Sequence, residues 1–173
     1  MEKLIVYCHG YGSNKESSKV EWLNKVIQGR CVAFNIDIDP ATSIPKLLDD
    51  ISMEILDEPN RDEEMILVGT SLGGWYAAKL ASIFQCKSVI INPSINPKTS
   101  LLKYGVPSEI CNNYDDFEFN EGATYFIAQD DDVIDHSELL ITLEAKGVQV
   151  FRSSGGHRFN EKFDLVVDYL SQI

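Results

Sequence analysis

Short apolar runs rich in Val, Ile, Phe and Tyr recur along the chain at residues 4–7, 32–36, 65–68, 88–91, 124–128 and 148–151. Unbroken apolarity over so few residues is the pattern of strands buried on both faces of a parallel sheet. Helical patterns lie between the runs. Ser18 and Glu21 form a capping box ahead of Val20, Leu23 and Ile27, with Gly29 as the stop. Thr42 or Ser43, with Pro45, predicts the start of a second helix whose Leu48, Ile51 and Ile55 share one face. Residues 72–84 form a third. Asp135 and Glu138 cap a fourth that ends at Gly147, and Asn160 starts a last one whose Phe163, Val167 and Leu170 point inward.

Strands alternating with helices predict an α/β fold: a mostly parallel sheet of about six strands, joined by right-handed crossovers, with helices on both faces. Residues 93–122 break the rhythm. Their Pro, Asn and Asp clusters, NPSINPKTS and CNNYDD, predict a loop excursion over the sheet with only a weak helical tendency at 100–104. No inserted helical pair is long enough for a large lid.

The 173 residues suit a single domain spanning 1–173 with a substantial core. No stretch approaches the roughly 20 consecutive apolar residues of a membrane span. The first apolar run is too short for a secretory leader. Cys8, Cys31, Cys86 and Cys111 show no metal-ligand spacing, so the expectation is a cytoplasmic protein with reduced thiols. Acidic residues outnumber basic ones 27 to 15, and a net charge of -12 repels the phosphate backbone that supplies most nucleic-acid affinity. Nucleic acid is excluded as a partner; the oligomeric state is left open.

The chemistry concentrates in MILVGTSLGGWYAAKL, where a buried strand runs through Gly69-Thr70-Ser71-Leu72-Gly73 directly into a helix. This is the GxSxG nucleophile elbow, in which glycines two before and two after the serine let the backbones approach at a strained turn. A serine needs a base, and in this architecture the base lies in the loop after the last strand. Of His9, His136 and His157, only His157, in SSGGHRFN, fits that position. The orienting acid belongs in the loop after the strand at 124–128, where Asp130, Asp131 and Asp132 all qualify. His9-Gly10-Tyr11-Gly12 follows the first strand, from which one oxyanion-hole N–H is donated. The two donors are assigned to Tyr11 and Leu72, with His9 as a structural residue that fixes the loop. The run Asp130, Asp131, Asp132 and Asp135 lacks the turn glycine and twelfth-position glutamate of a calcium loop, so no metal is expected. Trp22, Trp75 and Tyr76 read as core or pocket wall.

Together, HGYGSNKES, GTSLGGWYA, INPSINP, AQDDDVID and GGHRF resemble the YqiA/YcfP-type family of small, nearly lidless α/β-hydrolase esterases over essentially the whole chain. The resemblance implies a carboxylesterase whose Ser-Asp-His triad falls on Ser71, Asp131 and His157. In that family's spacing the acid precedes, one residue removed, an apolar residue that turns back to the core, here Val133. Asp130 would then occupy a turn position of left-handed geometry, Asp132 would face solvent, and Asp135 would cap a helix. The implied reaction is two-step acyl transfer on a small-molecule ester, with no cofactor. A thioester passes through the same tetrahedral intermediate. A non-catalytic scaffold acting as a binding module is the alternative from another class.

Overall fold

A computed structural model describes residues 2–57 and 62–173. Six strands form one sheet in the order β2-β1-β3-β4-β5-β6, with every neighbouring pair parallel. They are β1 (Glu2–Cys8), β2 (Gly29–Ala33), β3 (Glu63–Thr70), β4 (Lys87–Ile91), β5 (Ala123–Ala128) and β6 (Gln149–Ser153). The helices are α1 (Ser18–Val26), α2 (Pro40–Leu56), α3 (Leu72–Phe84), α4 (Pro97–Ser100), α5 (Ser108–Cys111), α6 (Ser137–Lys146) and α7 (Phe163–Gln172).

Alternate residues of each strand point to opposite faces, and each face is covered by its own helices. Leu4, Val6, Leu67, Ile90, Tyr125 and Ile127 pack with Leu47 and Ile51 of α2, Trp75 to Ala81 of α3, and Leu139 and Leu143 of α6. Ile5, Ile66, Val68, Val89 and Phe126 pack with Leu23 of α1 and with Phe163, Val166 and Leu170 of α7. Burial on both sides explains why these strands read as continuous apolar runs.

Several boundaries differ from the sequence-based expectation. The second strand is Gly29–Ala33, not 32–36, and Gly29 opens it rather than closing the helix before it. Asn24 fixes this register, because its side chain bonds both the N–H (2.7 Å) and the carbonyl (3.0 Å) of Cys31. Phe34 and Ile36 pack against the core from outside the strand. Ser17, not Ser18, caps α1, its Oγ accepting from Lys19 N at 3.3 Å. Asp39 caps α2 with Pro40 in the first turn, so this helix starts before Thr42 and carries Pro45 inside it. Asn160 opens a short 3-10 turn, with α7 beginning at Phe163.

The excursion at 93–122 is more ordered than expected. It carries α4, a 3-10 turn at Leu101–Tyr104, and α5. Tyr114 anchors it, since the buried ring lies 4.8 Å from that of Trp75 and the hydroxyl donates to Ile38 O at 2.7 Å. Trp75 and Tyr76 are core residues, as expected. Trp22 is half-exposed and packs on Phe163.

β1 and β3 are adjacent, yet the chain leaves β1 for β2 on one side and β3 for β4 on the other. The crevice at the carboxyl ends of such diverging strands is where open α/β sheets bind ligands. Here it falls between Cys8 and Thr70, so the His9–Gly12 loop faces the turn carrying Ser71. Among the described residues, no helix is long and apolar enough to cross a membrane.

Candidate active site

Ser71 sits between β3 and α3 with φ 58° and ψ −121°, a conformation that a non-glycine residue adopts only when its surroundings impose it. The imposed contacts are specific. Ser71 N–H donates to Ile91 O at 2.9 Å, and Ser71 O accepts from Gly74 N at 2.9 Å and Ser94 N at 3.0 Å. A side chain cannot be accommodated on either flank. A Cβ on Gly73 would lie 2.0 Å from Cys8 O, and one on Gly69 would lie 2.1 Å from Gly73 O. Ser71 occupies the N-cap position of α3, but its side chain makes no capping bond, which leaves Oγ free.

That Oγ lies 2.9 Å from His157 Nε2. His157 Nδ1 lies 2.9 Å from Asp131 Oδ2 and 3.1 Å from Oδ1. Asp131 is nearly inaccessible, its side chain 1% exposed. Burial pushes its carboxyl up, but hydrogen bonds from His136, His157 and the Ile134 and Val133 amides outweigh this and hold it well below the usual carboxylate range. An ionised carboxylate can only accept, so Nδ1 of His157 carries the proton and Nε2 is left to accept from the Ser71 hydroxyl. The three side chains therefore form one directed relay.

Among the three aspartates, the one that meets His157 is Asp131. Its neighbours differ in part from expectation. Asp132 is exposed, as expected. Asp130 does not adopt left-handed geometry; its Oδ1 instead accepts from Gly155 N (2.9 Å) and Gly156 N (3.0 Å) in the loop ahead of His157. Val133 does not return to the core. It is half-exposed, because its N–H is held by Asp131 Oδ1 at 2.9 Å. Asp135 does bond the first turn of α6, through Ser137 N and Oγ.

Two further residues join the site: His136, which lies outside the motifs quoted above, and Asn92, which lies in INPSINP but has no role assigned from sequence. His136 is buried, and its Nε2 lies 2.8 Å from Asp131 Oδ2, so Asp131 accepts from two imidazoles. Asn92 is fully buried at φ 42°, just past β4. Its Nδ2 donates to Gly156 O and His157 O, both at 3.0 Å, and its Oδ1 accepts from Ala128 N at 2.7 Å. One side chain thus ties the His157 loop to the end of β5. Beyond its place in INPSINP, the signal for Asn92 is that Asn enters positive φ several-fold more often than most residues.

His9 is structural: buried, with Nε2 accepting from Ile36 N at 3.1 Å and Nδ1 3.0 Å from Gly10 O. Gly10 O also accepts from Ser13 N at 3.2 Å. A trans peptide sets C=O and N–H antiparallel, so the Tyr11 N–H points away from His9 and Ser13. Leu72 opens α3, and its N–H has no acceptor within the helix. Ser71 lines a cleft of about 390 Å³ with Tyr7, Gly10, Lys19, His157 and Arg158 among its walls.

Comparison with known proteins agrees with this architecture. An esterase of Pyrococcus furiosus superposes with a TM-score of 0.77 at 16% identity, over 99% of this chain and 81% of that one. The mouse alpha/beta hydrolase domain-containing protein 10 gives 0.71 at 16% identity, over 99% and 90%. These likenesses establish the α/β-hydrolase fold. A UPF0227 protein of Vibrio vulnificus is 25% identical over 175 residues, 91% of this chain and 92% of the relative. One of Shewanella woodyi is 28% identical over 104 residues, 57% of this chain, so the match spans only 55% of that relative. The model of the uncharacterised protein family UPF0227 matches residues 4–125, which is most of the chain, and the protein belongs to that family.

Proposed function

We propose that the protein is a serine carboxylesterase that hydrolyses small acyl esters through Ser71, His157 and Asp131. The observation that carries the reading is the continuous hydrogen-bonded relay from Ser71 Oγ through His157 to a buried carboxylate, at 2.9 Å on each side of the imidazole. His157 Nε2 takes the hydroxyl proton as Oγ attacks the ester carbonyl. The Tyr11 and Leu72 N–H groups receive the oxyanion, and α3 turns its positive end toward it. His157 then protonates the departing alcohol. Water, deprotonated by the same nitrogen, releases the acid and restores Ser71. Asp131 stays ionised throughout, fixing the tautomer and stabilising the imidazolium.

The reading takes residues 1–173 as one catalytic domain, working without a cofactor in a reducing cytoplasm on a small-molecule substrate. Purified protein should turn over p-nitrophenyl butyrate, and Ser71→Ala should lower turnover by about 10⁴ to 10⁶ with an unchanged circular dichroism spectrum. A fluorophosphonate probe should label the wild type and not the variant. Retention of more than a few per cent of the activity by Ser71→Ala overturns the assignment.

A further inference from the structure

The cleft at Ser71 has a charge opposite to that of the protein. The chain carries a net charge of -12, yet among the described residues no aspartate or glutamate lines this cleft, whereas Lys19 and Arg158 both do. Hydroxyls supply much of the remaining wall, from Tyr7, Ser13, Ser17 and Ser18. An apolar acyl chain finds little surface here to displace water from, and a compact anion finds donors from several directions.

Lys19 is the more telling of the two cations. It is buried, 9% exposed, in the first turn of α1, and its ammonium lies 5.5 Å from the centre of the Phe163 ring. Its Nζ donates to the neutral Asn160 Oδ1, and no described carboxylate pairs with Lys19 or Arg158. Burial first, and then the charge of Arg158, push Lys19 down to about 8. Two half-buried cations elsewhere are neutralised: Arg30 bonds Glu54 and Glu63, and Lys79 bonds Asp115 and Glu118. Lys19 and Arg158 are two like charges that repel each other beside Ser71, in an acidic chain, with no described carboxylate between them.

We propose that the ester acted on at this site carries an anionic group, a carboxylate or a phosphate, which sits between Lys19 and Arg158 while its ester carbonyl lies at Ser71. This rests on the reading of Ser71 as the acylated nucleophile. The reaction remains a hydrolysis. The acyl carbon loses its bond to the alcohol oxygen and gains one to the oxygen of water, the alcohol leaves with a proton from His157, and the charged group is unchanged.

Two matched pairs of esters test the proposal by acid release. Monoethyl succinate against diethyl succinate reports a carboxylate, and 2-acetoxyethyl phosphate against ethylene glycol monoacetate reports a phosphate. The wild type should favour the charged member of at least one pair in kcat/KM by about tenfold or more, the effect of a charge-assisted hydrogen bond. Sodium chloride should erode that preference. Lys19→Met and Arg158→Gln should each lower the charged-to-neutral ratio by about tenfold; Arg158 is exposed, so its variant serves if Lys19→Met does not fold. The melting temperature should also rise with succinate or inorganic phosphate, and less so in either variant. A wild type that takes up the fluorophosphonate and hydrolyses the neutral esters without favouring a charged one overturns this proposal alone. So does a preference that survives both substitutions. A chain that neither reacts with the probe nor turns over any ester, yet melts later with succinate or phosphate through Lys19 and Arg158, overturns the esterase reading and supports the anion site. If the melting temperature does not move either, the anion site falls as well.

Discussion

The turn carrying Ser71 and the loop carrying His157 meet across 2.9 Å, but they are held there in different ways. Ser71 is fixed largely by its sequence neighbours: a strand running straight into a helix, and the glycines at 69 and 73 packed against backbone. His157 has glycines beside it as well, at 155 and 156, but these loosen the chain rather than jam it. Its position is set from a distance, by Asn92 on its main chain, by Asp130 on the two glycines, and by Asp131 on its ring. A local steric lock leaves a sequence signature. A loop tied by side chains 25 to 65 residues away does not.

If Ser71 is the nucleophile and His157 the base, as proposed, one change at Ser71 should abolish activity, whereas the His157 side should come apart by degrees. Asp131→Asn is the largest of these. An asparagine that turns its NH₂ toward His157 Nδ1 favours the tautomer with the proton on Nε2 and spoils that nitrogen as a base, and one that turns its carbonyl there keeps the tautomer but lacks the negative charge that stabilises the imidazolium. Turnover should fall by about 10² to 10⁴. The same variant has a pH signature. The Asp131 carboxyl titrates lower in the folded chain than in the unfolded one, so the stability it contributes is full above the unfolded carboxylate value, about 4, and is lost as pH falls through the folded value. Thermal melts should show the gap between wild type and Asp131→Asn widest at neutral pH and closing below about pH 4. A gap that is constant with pH contradicts an ionised, multiply bonded Asp131.

Asn92→Ala comes next. It leaves two carbonyls of the His157 loop and the buried Ala128 amide without their partner, at a buried site where the polar groups cannot easily turn to water. A displacement of the imidazole by about 1 Å is worth roughly 10²-fold in rate, so a 10- to 100-fold loss is expected. Because Asn92 positions the base without lining the cleft, the loss should fall on kcat, with KM nearly unchanged. An equal loss in both would make Asn92 a general support of the fold instead.

What the chain reveals in advance follows the same division. The order of strands and helices is legible because strands buried on both faces must be apolar throughout, as 65–68 and 124–128 are. Ser71 and His157 are legible from a steric motif and from chain order. The strand at Gly29–Ala33 is misplaced because Phe34 and Ile36 are apolar for packing outside the sheet. The start of α2 is misplaced because Asp39-Pro40 and Ser43-Pro45 both offer start signals, and only tertiary contact chooses between them: Ser43 Oγ is spent on Asp37 O at 2.8 Å. His136 offers no signal, since its contact with Asp131 exists only once the intervening residues have turned.

Asp130 is the smallest effect and the sharpest test of how the His157 loop is held. The residue is exposed, so its bonds to Gly155 and Gly156 compete with water, and each contributes about 0.5 to 1.5 kcal/mol at most. If that energy goes into keeping the loop in its working position, Asp130→Ala should slow turnover by about 2- to 10-fold, since about 1.4 kcal/mol corresponds to a factor of ten. The bonds need an acceptor, not a charge. Asp130→Asn keeps the Oδ1 that both amides use, so it should stay within about twofold of the wild type, in contrast to Asp131→Asn one residue away. Steady-state rates on p-nitrophenyl butyrate for the three variants decide the matter. Should Asp130→Asn prove as slow as Asp130→Ala, the negative charge rather than the acceptor is what His157 senses. Should neither differ from the wild type, the loop is held by Asn92 and Asp131 alone.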